Sequence, residues 1–186
     1  WLTTSHGHCS LAQNRDYWDE ASDSFVCGYN PLGAADSTVL VIRLCDLVGS
    51  VKTVLVNYAC HPTTLAWDNQ LISPDYVGPM RRTLRHALGK IPVVFIQGAS
   101  GDVGPREGFV GDVDVAARNG RQLGLAALEA MAAMPVEPAE FSYDGAVVSG
   151  ATIGTWSYKT FSSDQVESMS RFESLQSSFD LEYRSD

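Results

Sequence analysis

No apolar run in the 186-residue sequence approaches the ~20 residues that a bilayer-spanning helix needs, so no transmembrane segment of that kind is expected. Basic residues are few. Lys+Arg number 13 against 22 Asp+Glu, and the net charge of −9 with no basic groove argues against nucleic acid as a partner. Arg81, Arg82 and Arg85 gather within one helical pattern, where such a trio reads as a solvated face. The four cysteines contain no C-x-x-C pair. Cys45 and Cys60 fall in strand patterns as small buried hydrophobes, whereas Cys9 and Cys27 lie in irregular sequence open to a disulfide in an oxidising compartment. There is no repeat and no low-complexity stretch. Composition leaves compartment and oligomeric state open.

At 45% hydrophobic, the chain can bury a sizeable core and is expected to form one domain over 1–186. Its organising stretch is 51–108. Val51 to Cys60 is rich in β-branched and aromatic residues, which predicts a strand, and Pro62 ends it. Ser73-Pro74-Asp75 has the composition of a helix start, and Val77, Met80, Leu84 and Leu88 mark one apolar helix face that Gly89 terminates. Pro79 conflicts with a start at Ser73: either the Ser73 turn is separate, or the helix begins at Gly78-Pro79. Pro92 to Ile96 is an unbroken apolar run, expected to be a strand buried on both faces. It leads into a glycine-rich loop, Gln97 to Pro105. The βαβ order makes the two strands parallel, so His61 and the loop share one rim, where open α/β sheets bind ligands.

Around this unit, residues 1–36 are aromatic-rich (Trp1, Tyr17, Trp18, Phe25, Tyr29) but lack periodicity, and are expected to be an ordered irregular excursion. Thr38 to Asp46 and Val51 to Cys60 form an expected antiparallel hairpin feeding the parallel unit, giving a mixed-sheet α/β fold. Asp112 or Asp114 caps a helix reaching about Met134, with a stripe of Val113, Ala117, Gly120, Leu123, Gly124, Ala127, Leu128 and Met131. Phe141 to Ile153 reads as one longer strand or two short ones. Ser162 or Ser163 then caps a helix carrying Val166, Met169, Phe172 and Leu175. Asp180 to Asp186 carry no structural signal.

Several residues have chemistry to offer. His61 sits where a strand meets proline, either as a structural histidine or as a metal ligand. His6 and His8 share one face of an extended segment; His86 falls on the exposed side of its helix. The loop is no nucleophile elbow, because Asp102 stands where G-x-S-x-G needs glycine, and it lacks the G-K-[ST] of a phosphate loop. It supplies pliable backbone around Gly101 and Gly104 whose N–H groups can face an oxyanion, together with Ser100 and Asp102. The alternative is a tight turn in which Asp102 caps its own backbone. Asp75 is a helix cap or a substrate contact, and Arg15 a surface residue or an anion-orienting one.

Cys9-Ser10-Leu11-Ala12-Gln13-Asn14-Arg15, Gly28-Tyr29-Asn30-Pro31, Asn57 to Thr64, Ile72 to Gly78 and Gln97 to Pro105 together resemble the neutral/alkaline non-lysosomal ceramidase family, bacterial branch, over about residues 9–180. The resemblance implies a zinc amidohydrolase cleaving an N-acyl bond, with a small-molecule or lipid-like substrate and a secreted or periplasmic location. Family zinc is held by two histidines, a glutamate and a tyrosine. The histidine before Pro-Thr is one of them, which implies that His61 is a ligand. It further implies roles for Gly101 and Gly104 in the oxyanion loop, for Asp102 in ordering it and for Arg15 in orienting substrate. Three departures are plain. The family loop reads G-D-V-S-P with an essential serine where Gly104 stands, leaving Ser100 as the loop hydroxyl. His6-Gly7-His8-Cys9 only superficially matches the family's H-x-H-S. The glutamate and tyrosine ligands are expected beyond Asp186, which makes the chain an internal piece of a longer catalytic domain. Two other readings stand beside this one: a non-catalytic lipid- or carbohydrate-binding relative, and a metal-free serine esterase using Ser100.

Overall fold

The computed structural model describes residues 1–180, so the sequence after Asp180 lies outside the described residues. The chain divides into two compact units, Trp1–Val136 and Glu137–Asp186, where a single domain is expected.

The first unit is built on a mixed four-stranded sheet. Its strands are β1 (Leu2–His8), β5 (Thr38–Cys45), β6 (Val51–Tyr58) and β7 (Val93–Gln97), in the order β1-β5-β6-β7. The hairpin β5–β6 is antiparallel and β6–β7 parallel, so the α/β expectation holds. Alternation assigns the faces. Val39, Val41, Val54, Val56, Tyr58 and Val93 point to the helices and are buried, while Leu40, Ile42, Leu44, Leu55, Val94 and Ile96 point the other way. Val94 is 42% and Ile96 40% exposed, which corrects the expectation of a strand buried on both faces. β7 is the sheet's edge, and an unbroken apolar run does not distinguish an edge strand from a central one.

Helix α1 (Val77–Leu88) buries Val77, Met80 and Leu84 as the spacing predicts. Ser73 is not its cap: its Oγ accepts from Asp75 N at 3.1 Å as a turn, and Tyr76 is the residue before the helix. Pro79 is thereby the third helical residue, where the backbone N–H would have no intrahelical acceptor, so the ring costs the helix no hydrogen bond. Arg81 Nε and Arg85 Nε bind the carbonyls of Val93 and Ile91, fastening α1 to the start of β7. Helix α2 (Val113–Ala132) is capped by Asp112, whose carboxylate accepts from Asp114 N at 2.8 Å. Its buried face is rotated from the expected stripe. Val113 is exposed, and Val115, Ala116, Asn119, Gly120, Leu123, Gly124, Ala127 and Met131 are buried. A Cβ on Gly120 would lie 2.1 Å from the carbonyl of Tyr76, and one on Gly124 would lie 2.6 Å from Thr83 Cβ, so these two glycines set the approach of α2 to α1.

Residues 1–36 correct the expectation of an irregular excursion. Besides β1 they form β2 (Ala12–Asn14), β3 (Asp16–Asp19) and β4 (Ser24–Cys27). β3 and β4 make a hairpin in which Trp18 meets Phe25 edge-on. β2 pairs with β8 (Val103–Pro105), so the second half of the glycine-rich loop is itself a short strand. The Tyr58 hydroxyl ties this region to the sheet, accepting from Ala12 N and donating to Cys9 O, both at 2.7 Å. Cys9 is buried, Cys27 exposed and both are free thiols, so the disulfide does not form.

The second unit holds the hairpin β9 (Ala139–Ser149) and β10 (Ala151–Thr160), then α3 (Ser163–Met169). Phe141, Tyr143, Trp156 and Tyr158 lie in contact along one hairpin face. Ser162 caps α3 in a capping box with Gln165. The helix ends before Phe172 and Leu175, which the periodicity places within it and which are exposed.

Candidate active site

β6 and β7 run parallel to their last pair, Tyr58 opposite Gln97, and deliver their following residues to one rim. The two segments touch there. Gly98 N donates to Tyr58 O at 3.0 Å, and a Cβ on Gly98 would lie 3.0 Å from Ala59 N, a tight contact that any larger residue would relieve only by shifting the Ala59 backbone. His61 N donates to Val103 O at 3.1 Å. The His61 ring is half-buried, and its Nδ1 lies 2.6 Å from the carbonyl oxygen of Ser100. A carbonyl only accepts, so Nδ1 carries the proton and Nε2 of the neutral ring keeps its lone pair. Imidazole and loop thus converge as the βαβ argument expects.

The loop is held from several sides. Gln97 Nε2 donates to Ser100 Oγ at 2.5 Å and to Cys60 O at 3.0 Å. Ser100 is buried, and its hydroxyl is engaged with Gln97 instead of facing solvent. Arg15 places Nε at 3.1 Å and Nη2 at 2.7 Å from Gly101 O, and its N–H donates to Asp102 O at 2.9 Å. Its guanidinium clamps the loop. Asp102 is exposed, with Asn14 Nδ2 at 3.4 Å from its carboxylate. Val103 N–H is given to Ser100 O at 3.2 Å and is not free for an oxyanion. Gly104, opposite Gln13 in the β2–β8 ladder, is buried; a Cβ there would meet Arg15 Cδ and Thr63 Oγ1 at 3.6 Å, ordinary contact distance. The Thr63 hydroxyl is buried without a hydrogen-bond partner.

Asp75 has a different place from the one its spacing suggests. It is buried with φ +49, Oδ2 accepting from Leu65 N at 2.9 Å and Oδ1 from Tyr76 N at 2.6 Å. Its carboxylate fastens the segment after His61 to the start of α1. Thr64 completes that anchor: its Oγ1 accepts from Asn119 Nδ2 at 3.2 Å, and its carbonyl from Val110 N at 2.9 Å. Below the rim the Tyr76 hydroxyl donates to Cys60 O. Burial pushes the Cys60 thiol up to about 12 and raises the phenols of Tyr58 and Tyr76 beyond their ordinary range, so these groups are protonated supports. His6 and His8 share one exposed face of β1, where His8 Nδ1 lies 3.3 Å from Ser37 Oγ; His86 is exposed on α1. Among the described residues no three His, Cys, Asp or Glu side chains gather as a metal set. His61 has the donor atom and freedom that zinc requires of one ligand; further ligands would have to come from elsewhere.

Gln97 and Thr63 are residues of the site beyond the candidates that the sequence points to. Gln97 carries a readable signal, a polar residue closing an apolar strand at the ligand-binding rim. Thr63 has none beyond its nearness to His61.

No family model matches the sequence, and no curated protein matches it. Solved structures do. The neutral ceramidase from Pseudomonas aeruginosa aligns with 76% of this chain at TM-score 0.55 and 17% identity. A ceramidase complexed with C2 aligns over the same share at TM-score 0.56 and 19% identity. The chain spans 24% of the length of each. At these identities the likeness is one of fold.

Proposed function

We propose that the intact protein is a ceramidase-like hydrolase that uses zinc to cleave an N-acyl amide, or an ester, of a lipid-like substrate. One observation carries the reading: the His61 ring commits Nδ1 to the Ser100 carbonyl and leaves Nε2 as a lone-pair donor at the rim. The likeness of fold to neutral ceramidases agrees with it. Bound zinc would lower the pKa of water and polarise the acyl carbonyl. In this chain, His61 supplies one ligand, Asp102 and Arg15 hold the loop in place, and Gly101 contributes flexible backbone near the reacting carbonyl. Gly104 offers no hydroxyl for a proton relay at that position, and the nearest loop hydroxyl, that of Ser100, is buried against Gln97.

The test is His61→Ala in the intact protein, assayed on a panel of N-acyl amides and esters with bound zinc measured in parallel. Loss of both turnover and zinc at unchanged folding supports the reading. Zinc-loaded wild-type protein without turnover on any member refutes it. A second reading, a non-catalytic carbohydrate binder, is favoured by the aromatic face of β9–β10, because flat rings accept the apolar face of a sugar. It requires Trp156→Ala to abolish retention on polysaccharide while His61→Ala leaves retention unchanged.

A further inference from the structure

We infer that Gln97 is a positioning residue whose carboxamide selects the tautomer of His61. The inference rests on the reading of His61 as a metal ligand for its purpose, but not for its physics. The ring would face a movable target if Ser100 were free, because the carbonyl that receives Nδ1–H belongs to a glycine-flanked loop. One NH2 group removes that freedom. Gln97 Nε2 reaches Ser100 Oγ at 2.5 Å and Cys60 O at 3.0 Å, so its two hydrogens bridge the residue before His61 to the residue that accepts from the His61 ring. Both ends of the imidazole's hydrogen bond are therefore referred to a single side chain. Gln97 itself is fixed by the parallel ladder opposite Tyr58, a tyrosine with no accessible surface.

The consequence is chemical. In water, neutral histidine prefers the proton on Nε2, the nitrogen that a metal would have to use. With Ser100 O held at 2.6 Å from Nδ1, the proton is kept there and Nε2 is presented with its lone pair. The three bonds form one chain of donors and acceptors, amide to hydroxyl and carbonyl, imidazole to carbonyl. No residue of the chain has to move to make it.

The experiment is long-range 1H–15N correlation spectroscopy of the histidine rings in the metal-free chain at pH 9, above the ordinary histidine range. Wild type is expected to show His61 in the Nδ1–H form. Gln97→Met, similar in length but without donors, is expected to move His61 toward the Nε2–H form, with His6, His8 and His86 unchanged as internal controls. Ser100→Ala removes one arm of the bridge and is expected to give a smaller move. An Nε2–H form in wild type, or a Gln97→Met spectrum in which His61 is unaltered, overturns the inference. In the intact protein, chelator competition is expected to show zinc held roughly 10–100-fold more weakly in Gln97→Met. A tautomer shift without weaker zinc upholds the positioning role and removes the metal reading of His61, so the two failures are distinct.

Discussion

The unpartnered hydroxyl of Thr63 is the least comfortable atom near the rim. A buried hydroxyl without a partner costs about 1–3 kcal/mol, and replacing it with an isosteric apolar group recovers that cost. Thr63→Val is therefore expected to raise stability by about 1 kcal/mol, a shift of roughly 2–4 °C in the unfolding midpoint at this size. Gly104→Ser is expected to fold at least as stably as wild type, because the added Cβ meets nothing closer than 3.6 Å and its hydroxyl would lie within reach of Thr63. A lowered midpoint by calorimetry in both variants would mean that the Thr63 hydroxyl is already satisfied. Deeper in the core, Cys9 and Tyr58 keep their protons, their acidities weakened first of all by burial. Both have folded-state pKa values raised above the unfolded ones, so the stabilisation they give is present below the unfolded values, about 9 for the thiol and about 10 for the phenol, and is lost as pH rises beyond them. The urea midpoint is expected to fall between pH 8 and pH 10. In the same experiment Cys27 should react with a maleimide at once, and Cys9, Cys45 and Cys60 only on unfolding. At this scale the sequence made His61 visible through its strand and proline. It could not show that Asp75 turns inward, since that depends on a positive φ and two backbone donors brought by the fold.

Among the elements, the contact between α1 and α2 is the most constrained by residue type. Gly120 and Gly124, one turn apart, allow the α2 backbone to lie against Tyr76, Met80 and Thr83. Gly120→Ala gains up to ~1 kcal/mol of helix propensity but drives a methyl into the Tyr76 carbonyl, and overpacking of that kind typically costs about 1–3 kcal/mol. Stability is expected to fall by about 1–2 kcal/mol by urea titration, whereas Gly101→Ala, with no neighbour within 4 Å, is expected to stay within about 0.5 kcal/mol of wild type. Equal effects of the two substitutions would remove the close-approach argument. The same helices show why elements were unevenly legible. β5 and β6 are carried by β-branched and aromatic composition and α1 by Met80 and Leu84 at helical spacing, and such local signals survive in the sequence. β2 and β8 are three residues each, and Asn14 finds Val103 only through the fold. Their pairing leaves no local pattern, and neither do the short β3 and β4. The rotation of α2 was hidden because alanines and glycines occur on several of its sides, so small residues alone do not mark the stripe.

On the scale of the molecule, the central sheet has two unlike sides. One is sealed by α1 and α2, with Val39, Val41, Val54 and Val56 fully buried. The other presents Leu40, Ile42, Leu44, Leu55, Val94 and Ile96, an apolar surface of the kind that soluble domains seldom leave uncovered. β5 and β7 thus carry apolar residues on both faces, which is the pattern of a sheet set between two layers. Adjacent residues on β5 give a direct comparison. Val41→Lys places an ammonium among buried valines and is expected to abolish folding or cost more than about 3 kcal/mol, because a buried unpaired charge is among the most destabilising single changes. Ile42→Lys, one residue along, points to the half-exposed side and is expected to move the urea midpoint little, while lowering the fluorescence of a dye that binds exposed apolar surface. Equal destabilisation by the two lysines would mean that the second face is covered in solution, and the one-sided packing described for this sheet would then be wrong.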